Sequence, residues 1–141
     1  MKPLRSAFAI MFLAATSTGA FSQNPGNPHR VIMQVTQADS ATQVAVISQV
    51  RNVKKQLPNA EIEVVCHANG LPMLMKTGSK VASSVFELSR MNVKFVACEN
   101  TMARQHVTVD DLLPQVGTVA SGLTEIILKQ EEGWSYIKGG H

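Results

Sequence analysis

Apolar residues follow two alternating rhythms along this chain: short runs rich in β-branched side chains, and longer stretches in which apolar positions fall three and four apart. Val31-Ile32-Met33-Gln34-Val35 is a run of the first kind and predicts a strand covered on both faces. Val46, Val50, Val53 and Leu57 have helical spacing, with Asp39 or Ser40 as the cap and Pro58-Asn59 as the stop. Residues 62–66 make a second strand, 71–75 one helical turn, and Val81, Val85 and Leu88 a second amphipathic helix that Asn92 ends in the left-handed conformation. A third strand covers 93–98, and a helical turn can begin at 101–104. Thr108 and Asp111 have capping-box spacing ahead of Leu112-Leu113. A fourth strand falls at 116–119. Ser121 caps a last helix whose face carries Leu123, Ile126, Ile127 and Gln130, with Glu125 placed to pair with Lys129, and a fifth strand covers 134–137. Strands alternating with helices in this way predict an α/β fold, a parallel sheet between helical layers, without a repeat or a second domain.

The N-terminus breaks this pattern. Lys2 and Arg5 precede an apolar run at 7–15, and Ala20-Phe21-Ser22 sets small side chains at the two positions a signal peptidase reads. Residues 1–22 are therefore expected to be a secretory signal peptide, cut after Ser22. The 23–29 segment, rich in Pro, Gly and Asn, is a flexible lead, and 30–141 is one domain. The apolar run falls well short of the about 20 residues that span a bilayer, so the processed chain is expected to be periplasmic or secreted, with no membrane association. Loss of Lys2 and Arg5 takes the formal charge from +3 to +1, which lacks the basic footprint of a nucleic-acid binder.

In a parallel sheet, ligands bind beyond the carboxyl ends of the strands. Here those ends read Cys66-His67-Ala68-Asn69-Gly70 after the second strand and Cys98-Glu99-Asn100-Thr101 after the third, so both cysteines of the chain fall on one sheet edge. A helical turn after Cys98, with Arg104 or His106 adding charge, would favour its thiolate, and Glu99 opposes this. The alternative is a small buried cysteine at a strand end. His67, His106, Met73 and Met75 are residue types that soft metals accept, but their spacing matches no compact zinc motif, and neither a metal nor an organic cofactor is expected. Asp110-Asp111 is structural, Asn69-Gly70 is a turn rather than a phosphate cradle, and no serine sits in a nucleophile elbow. No acid–base pair defines an enzyme.

The segments Glu63-Val64-Val65-Cys66-His67-Ala68-Asn69-Gly70-Leu71, Val96-Ala97-Cys98-Glu99-Asn100-Thr101-Met102, Asp111-Leu112-Leu113-Pro114, Ser121-Gly122 and Gln130-Glu131-Glu132-Gly133-Trp134-Ser135-Tyr136-Ile137-Lys138 resemble the DsrE/DsrF-like family of the sulfur-relay and sulfur-oxidation group. The resemblance implies a three-layer α/β/α domain with a five-stranded parallel sheet in the order 4-3-2-1-5, assembled as a homotrimer or homohexamer. In sulfur-handling members a cysteine just after the third strand carries a persulfide, and Cys98 stands there. The catalytic candidates are Cys98, at the family's position, and Cys66 as its resolving partner, although Cys66 departs from the small residue common in the family before that His; His67, Asn69, Glu99, Asn100 and Thr101 are the binding candidates. The implied partners are further copies of the chain and a sulfur donor or acceptor protein. In that strand order the second and third strands are neighbours, and Cys66 and Cys98 are expected to lie about 4.8 Å apart, within disulfide reach as a reversible redox pair in an oxidising compartment. In the order 2-1-3-4-5 they would be about 9.6 Å apart and unpaired. Two function classes remain open: a sulfur-handling or thiol-redox protein acting through Cys98, and a non-catalytic oligomeric protein that binds a small ligand or metal.

Overall fold

The computed structural model describes residues 26–140. The expected signal peptide, its cleavage point after Ser22 and the first residues of the lead lie outside the described residues.

Five strands, β1 (Arg30–Val35), β2 (Glu61–Cys66), β3 (Val93–Cys98), β4 (Gly117–Val119) and β5 (Ser135–Lys138), form one parallel sheet in the order β4-β3-β2-β1-β5. The helices are α1 (Ser40–Gln56), α2 (Ala82–Ser89), α3 (Glu99–Arg104) and α4 (Gly122–Glu131). The α/β architecture is the one expected from the alternation of strands and helices, and the five-stranded α/β/α arrangement with its strand order is the one the family resemblance implies.

Local chemistry fixes the joints. The Asp39 carboxylate accepts from the amides of Ala41 and Thr42 and starts α1. Thr108 and Asp111 form the reciprocal capping box, and the Ser121 hydroxyl accepts from the Thr124 amide to start α4. α2 ends at Ser89 with Arg90 as its C-cap, and Asn92, at φ +60°, turns the chain from there into β3.

The two faces of the sheet are unequally covered. On one, Val31, Met33 and Val35 of β1, Ile62, Val64 and Cys66 of β2, and Val93, Phe95 and Ala97 of β3 pack under α1, α2 and the 3-10 helix Ala68–Leu74. On the other, only α4 caps a smaller cluster of Ile32, Val65, Val96, Ile126 and Trp134. This strict alternation decides which strand-end side chains can meet. Among the described residues no helix is long and apolar enough to cross a membrane.

Candidate functional site

Cys98 is the last residue of β3 and the residue at which α3 starts. Alternation along β3 sends Ala97 into the larger core and turns Cys98 to the α4 face. There its Sγ accepts the backbone N–H of Gly122, the first residue of α4, at 3.2 Å. Gly122 allows this approach because it carries no side chain. A Cβ at that position would lie 3.1 Å from Val65 Cγ1, 3.3 Å from His67 Cβ and 3.4 Å from Cys98 Cβ.

The Cys98 thiol is 5 % exposed. Burial pushes its pKa up, but hydrogen bonding to the Gly122 amide, to the Thr101 hydroxyl and amide, and to the Asn100 amide outweighs burial and holds the thiol below its ordinary value. Donors aimed at a sulfur favour its charged form. The starts of α3 and α4 therefore converge on one sulfur.

That sulfur lines an open cleft of about 470 Å³ together with His67, Asn100, Thr101, Ala103, Arg104, Ser121, Gly122 and Leu123. No acidic side chain lines it. Burial and the charge of Arg104 hold the His67 imidazole below its ordinary pKa, which favours the neutral ring at neutral pH. Thr101 fastens the His67 loop to α3, its Oγ1 accepting from the Ala68 amide at 3.1 Å. A hollow of about 510 Å³ at the opposite sheet edge, between residues 26–29 and 56–60, contains no thiol, and the thiol chemistry stays with Cys98.

Of the binding candidates, His67, Asn100 and Thr101 line the cleft. Asn69 lies exposed within the 3-10 helix, and Glu99 turns aside to accept from Thr118 Oγ1 at 2.6 Å.

The expected partnership of Cys66 with Cys98 is corrected. The strands are neighbours, but the register sets Cys66 opposite Ala97, so Cys98 is one residue further on and points to the other face. Cys66 lies fully buried in the larger core, both thiols are free, and burial pushes the Cys66 thiol far above its ordinary pKa. It is a packing residue.

Met73 is likewise buried in the core, His106 lies outside the cleft, and no cluster of three or more His, Cys, Asp or Glu suited to a metal occurs among the described residues. Sequence reasoning missed Gly122 as a donor to Cys98, and it named Arg104 as a charge near that thiol without placing it in a cleft wall. A small residue just after the Ser121 cap, at the same carboxyl edge as Cys98, was the available signal for the first.

The profile of the DsrE/DsrF-like family matches residues 29–138. The chain belongs to this family. Among solved structures, the MTH1491 protein of Methanobacterium thermoautotrophicum, described as of unknown function, superposes with a TM-score of 0.75 at 36% identity, covering 78% of this chain and 98% of that one. The ychN protein of E. coli superposes with a TM-score of 0.65 at 12% identity, covering 79% and 99%, and this likeness concerns the fold alone. No curated protein matches the chain. The DsrE/DsrF-like family is linked to sulfur relay, which makes the only cleft thiol of this member its natural point of interest.

Proposed function

We propose that this DsrE/DsrF-like protein handles sulfane sulfur through Cys98, as a persulfide carrier or sulfurtransferase-like group. The observation that carries the reading is the Gly122 amide on Cys98 Sγ at 3.2 Å, which favours a thiolate at the edge of an open cleft. The step is a redox-balanced exchange. The Cys98 thiolate attacks the outer sulfur of a donor persulfide R–S–SH, the new S–S bond forms as the old one breaks, and R–S⁻ leaves with the electron pair. Cys98 is left as Cys98–S–SH, ready to pass its outer sulfur to an acceptor thiolate in the same way.

The test is intact mass after exposure of the reduced protein to polysulfide, followed by peptide mapping. The expected result is gain of sulfur at Cys98, abolished in Cys98→Ser and retained in Cys66→Ala. Loading at Cys66, or at neither cysteine, contradicts the reading.

This reading, joined to the signal-peptide pattern of residues 1–22, puts the protein outside the cytoplasm, periplasmic or secreted, with a sulfur donor or acceptor protein as partner and no role for nucleic acid or membrane. It also has the chain assemble with itself as a homotrimer or homohexamer. Support for self-association comes from Leu123 and Ile127, one turn apart on α4 and 58% and 55% exposed. Mass and light scattering of protein recovered from outside the cell or from the periplasm test both statements. The expected species starts at Gln23 and is a trimer or hexamer. Full-length cytosolic chain contradicts export, and a monomer contradicts assembly.

A further inference from the structure

Four neighbouring strands carry a line of polar side chains across one face of the sheet: Tyr136 on β5, Gln34 on β1, His67 just after β2 and Cys98 at the end of β3. The register agrees with a shared face. Tyr136 pairs with Ile32, two residues before Gln34, and Val65, two residues before His67, belongs with Ile32 to the cluster under α4. The Tyr136 hydroxyl donates to Gln34 Oε1, and Gln34 Nε2 lies 2.8 Å from His67 Nε2.

With the Gln34 amide oriented as the structure has it, its oxygen on Tyr136 and its nitrogen on His67, the donor and acceptor inventory fixes the rest of the line. An amide oxygen only accepts and an amide nitrogen only donates. With its oxygen turned to Tyr136, Gln34 presents N–H to His67, and His67 Nε2 must supply the lone pair. A neutral imidazole whose Nε2 accepts carries its proton on Nδ1. Burial of the ring and the nearby Arg104 cation both oppose a second proton.

We infer that Gln34 and Tyr136 are positioning residues that hold His67 as a neutral imidazole protonated on Nδ1, so that the ring stands in the Cys98 cleft as a hydrogen-bond donor and not as the base of a cysteine–histidine pair. The functional meaning rests on the sulfur-handling reading of Cys98. The only lone pair of the ring is committed to Gln34, so the Cys98 thiolate is stabilised by backbone amides, and its proton is released without passing through His67. A sulfur carrier is served by this arrangement, because an adjacent imidazolium would protonate the leaving thiolate and discharge the carrier early.

The tautomer is directly observable. In protein labelled with ¹⁵N-histidine, with His67 assigned by comparison with His67→Asn, long-range ¹H–¹⁵N correlations distinguish protonated from unprotonated ring nitrogens. The expected wild-type spectrum has unprotonated Nε2 and protonated Nδ1, constant from about pH 6 to 8. Gln34→Glu, which replaces the amide donor by a carboxylate acceptor, is expected to move the proton to Nε2 and to make His67 titrate as an imidazolium within that range. Tyr136→Phe releases the amide and is expected to give a mixture of tautomers. A wild-type proton on Nε2, or a Gln34→Leu spectrum identical to wild type, overturns the inference. Iodoacetamide modification of Cys98 in the same samples separates the two ideas. Reactive Cys98 beside an Nε2-protonated ring overturns the His67 tautomer alone, and inert Cys98 beside an Nδ1-protonated ring supports the tautomer while overturning its role in sulfur handling.

Discussion

Replacing Gly70 by alanine is expected to lower folding stability by about 3 kcal/mol, and to loosen the Cys98 cleft as it does so. A Cβ on Gly70 would stand 2.2 Å from the carbonyl oxygen of Val35 and 2.7 Å from its carbonyl carbon. Both atoms are backbone at the end of β1, so no rotamer change relieves the clash. Relief requires the 3-10 helix Ala68–Leu74 to move off the sheet, and that segment buries Leu71, Met73 and Leu74 in the larger core. It also carries Ala68, whose amide is held by Thr101, so the disturbance reaches the loop that presents His67. Thermal unfolding followed by circular dichroism reads the loss, expected as a fall in Tm of about 10 °C. Unchanged Tm would show that the close approach of Gly70 to Val35 does not constrain the fold.

Glu63→Gln is expected to act in the opposite direction and to depend on pH. Glu63 sits in the middle of β2, 4% exposed, on the face under α4, with one carboxylate oxygen buried and without a partner. Burial, then the negative charge of Glu125, raise its pKa to about 7, while Lys129 and Lys94 pull the other way. The Lys129 ammonium is 4.0 Å from Glu63 and closer, at 3.6 Å, to Glu125, so it is shared rather than dedicated to the buried group.

A carboxyl group whose folded pKa lies above its unfolded value binds its proton more tightly in the native state. The wild-type protein is therefore expected to lose stability as pH rises from about 4.5 to about 7, with the full penalty above that window. At 1.36 kcal/mol per pKa unit, the rise from 4.5 to about 7 corresponds to a penalty of about 3 kcal/mol. The glutamine variant removes the titration, so its Tm is expected to exceed wild type by about 10 °C at pH 8 and to converge with it at about pH 4. A constant difference across that range would show that Glu63 does not titrate between the two values.

Much of the fold was legible in the sequence because strand and helix differ in period. The continuous run at Val31–Val35, the spacing of Val46, Val50 and Val53, and the left-handed turn at Asn92 all carried local signals that the structure keeps. Residues at strand ends were also legible as a set, since the carboxyl edge of a parallel sheet is where open loops gather. What a sequence does not state is the register between parallel strands. Cys66 and Cys98 each close a strand, yet Cys66 pairs with Ala97, and that single-residue offset sends the two thiols to opposite faces. The Gly122 contact was hidden for a related reason. It depends on where the loop after β4 delivers the start of α4, a tertiary placement that the small residue after the Ser121 cap marks only as lying at the same carboxyl edge as Cys98. Glu63 did have a local signal: an acidic residue between Ile62 and Val64, in a strand of a sheet expected to lie between helical layers.

The two cysteines contrast, Cys98 a thiol activated by converging backbone amides and Cys66 a thiol buried for packing. The rate of iodoacetamide alkylation of each cysteine in the folded protein, measured by peptide mapping across a pH series, tests this contrast most directly. Cys98 is predicted to react first, with a midpoint below the about 8.5 of an ordinary cysteine, while Cys66 stays protected until the protein unfolds. Equal, slow modification of both thiols, with a Cys98 midpoint at or above the ordinary value, would contradict the account.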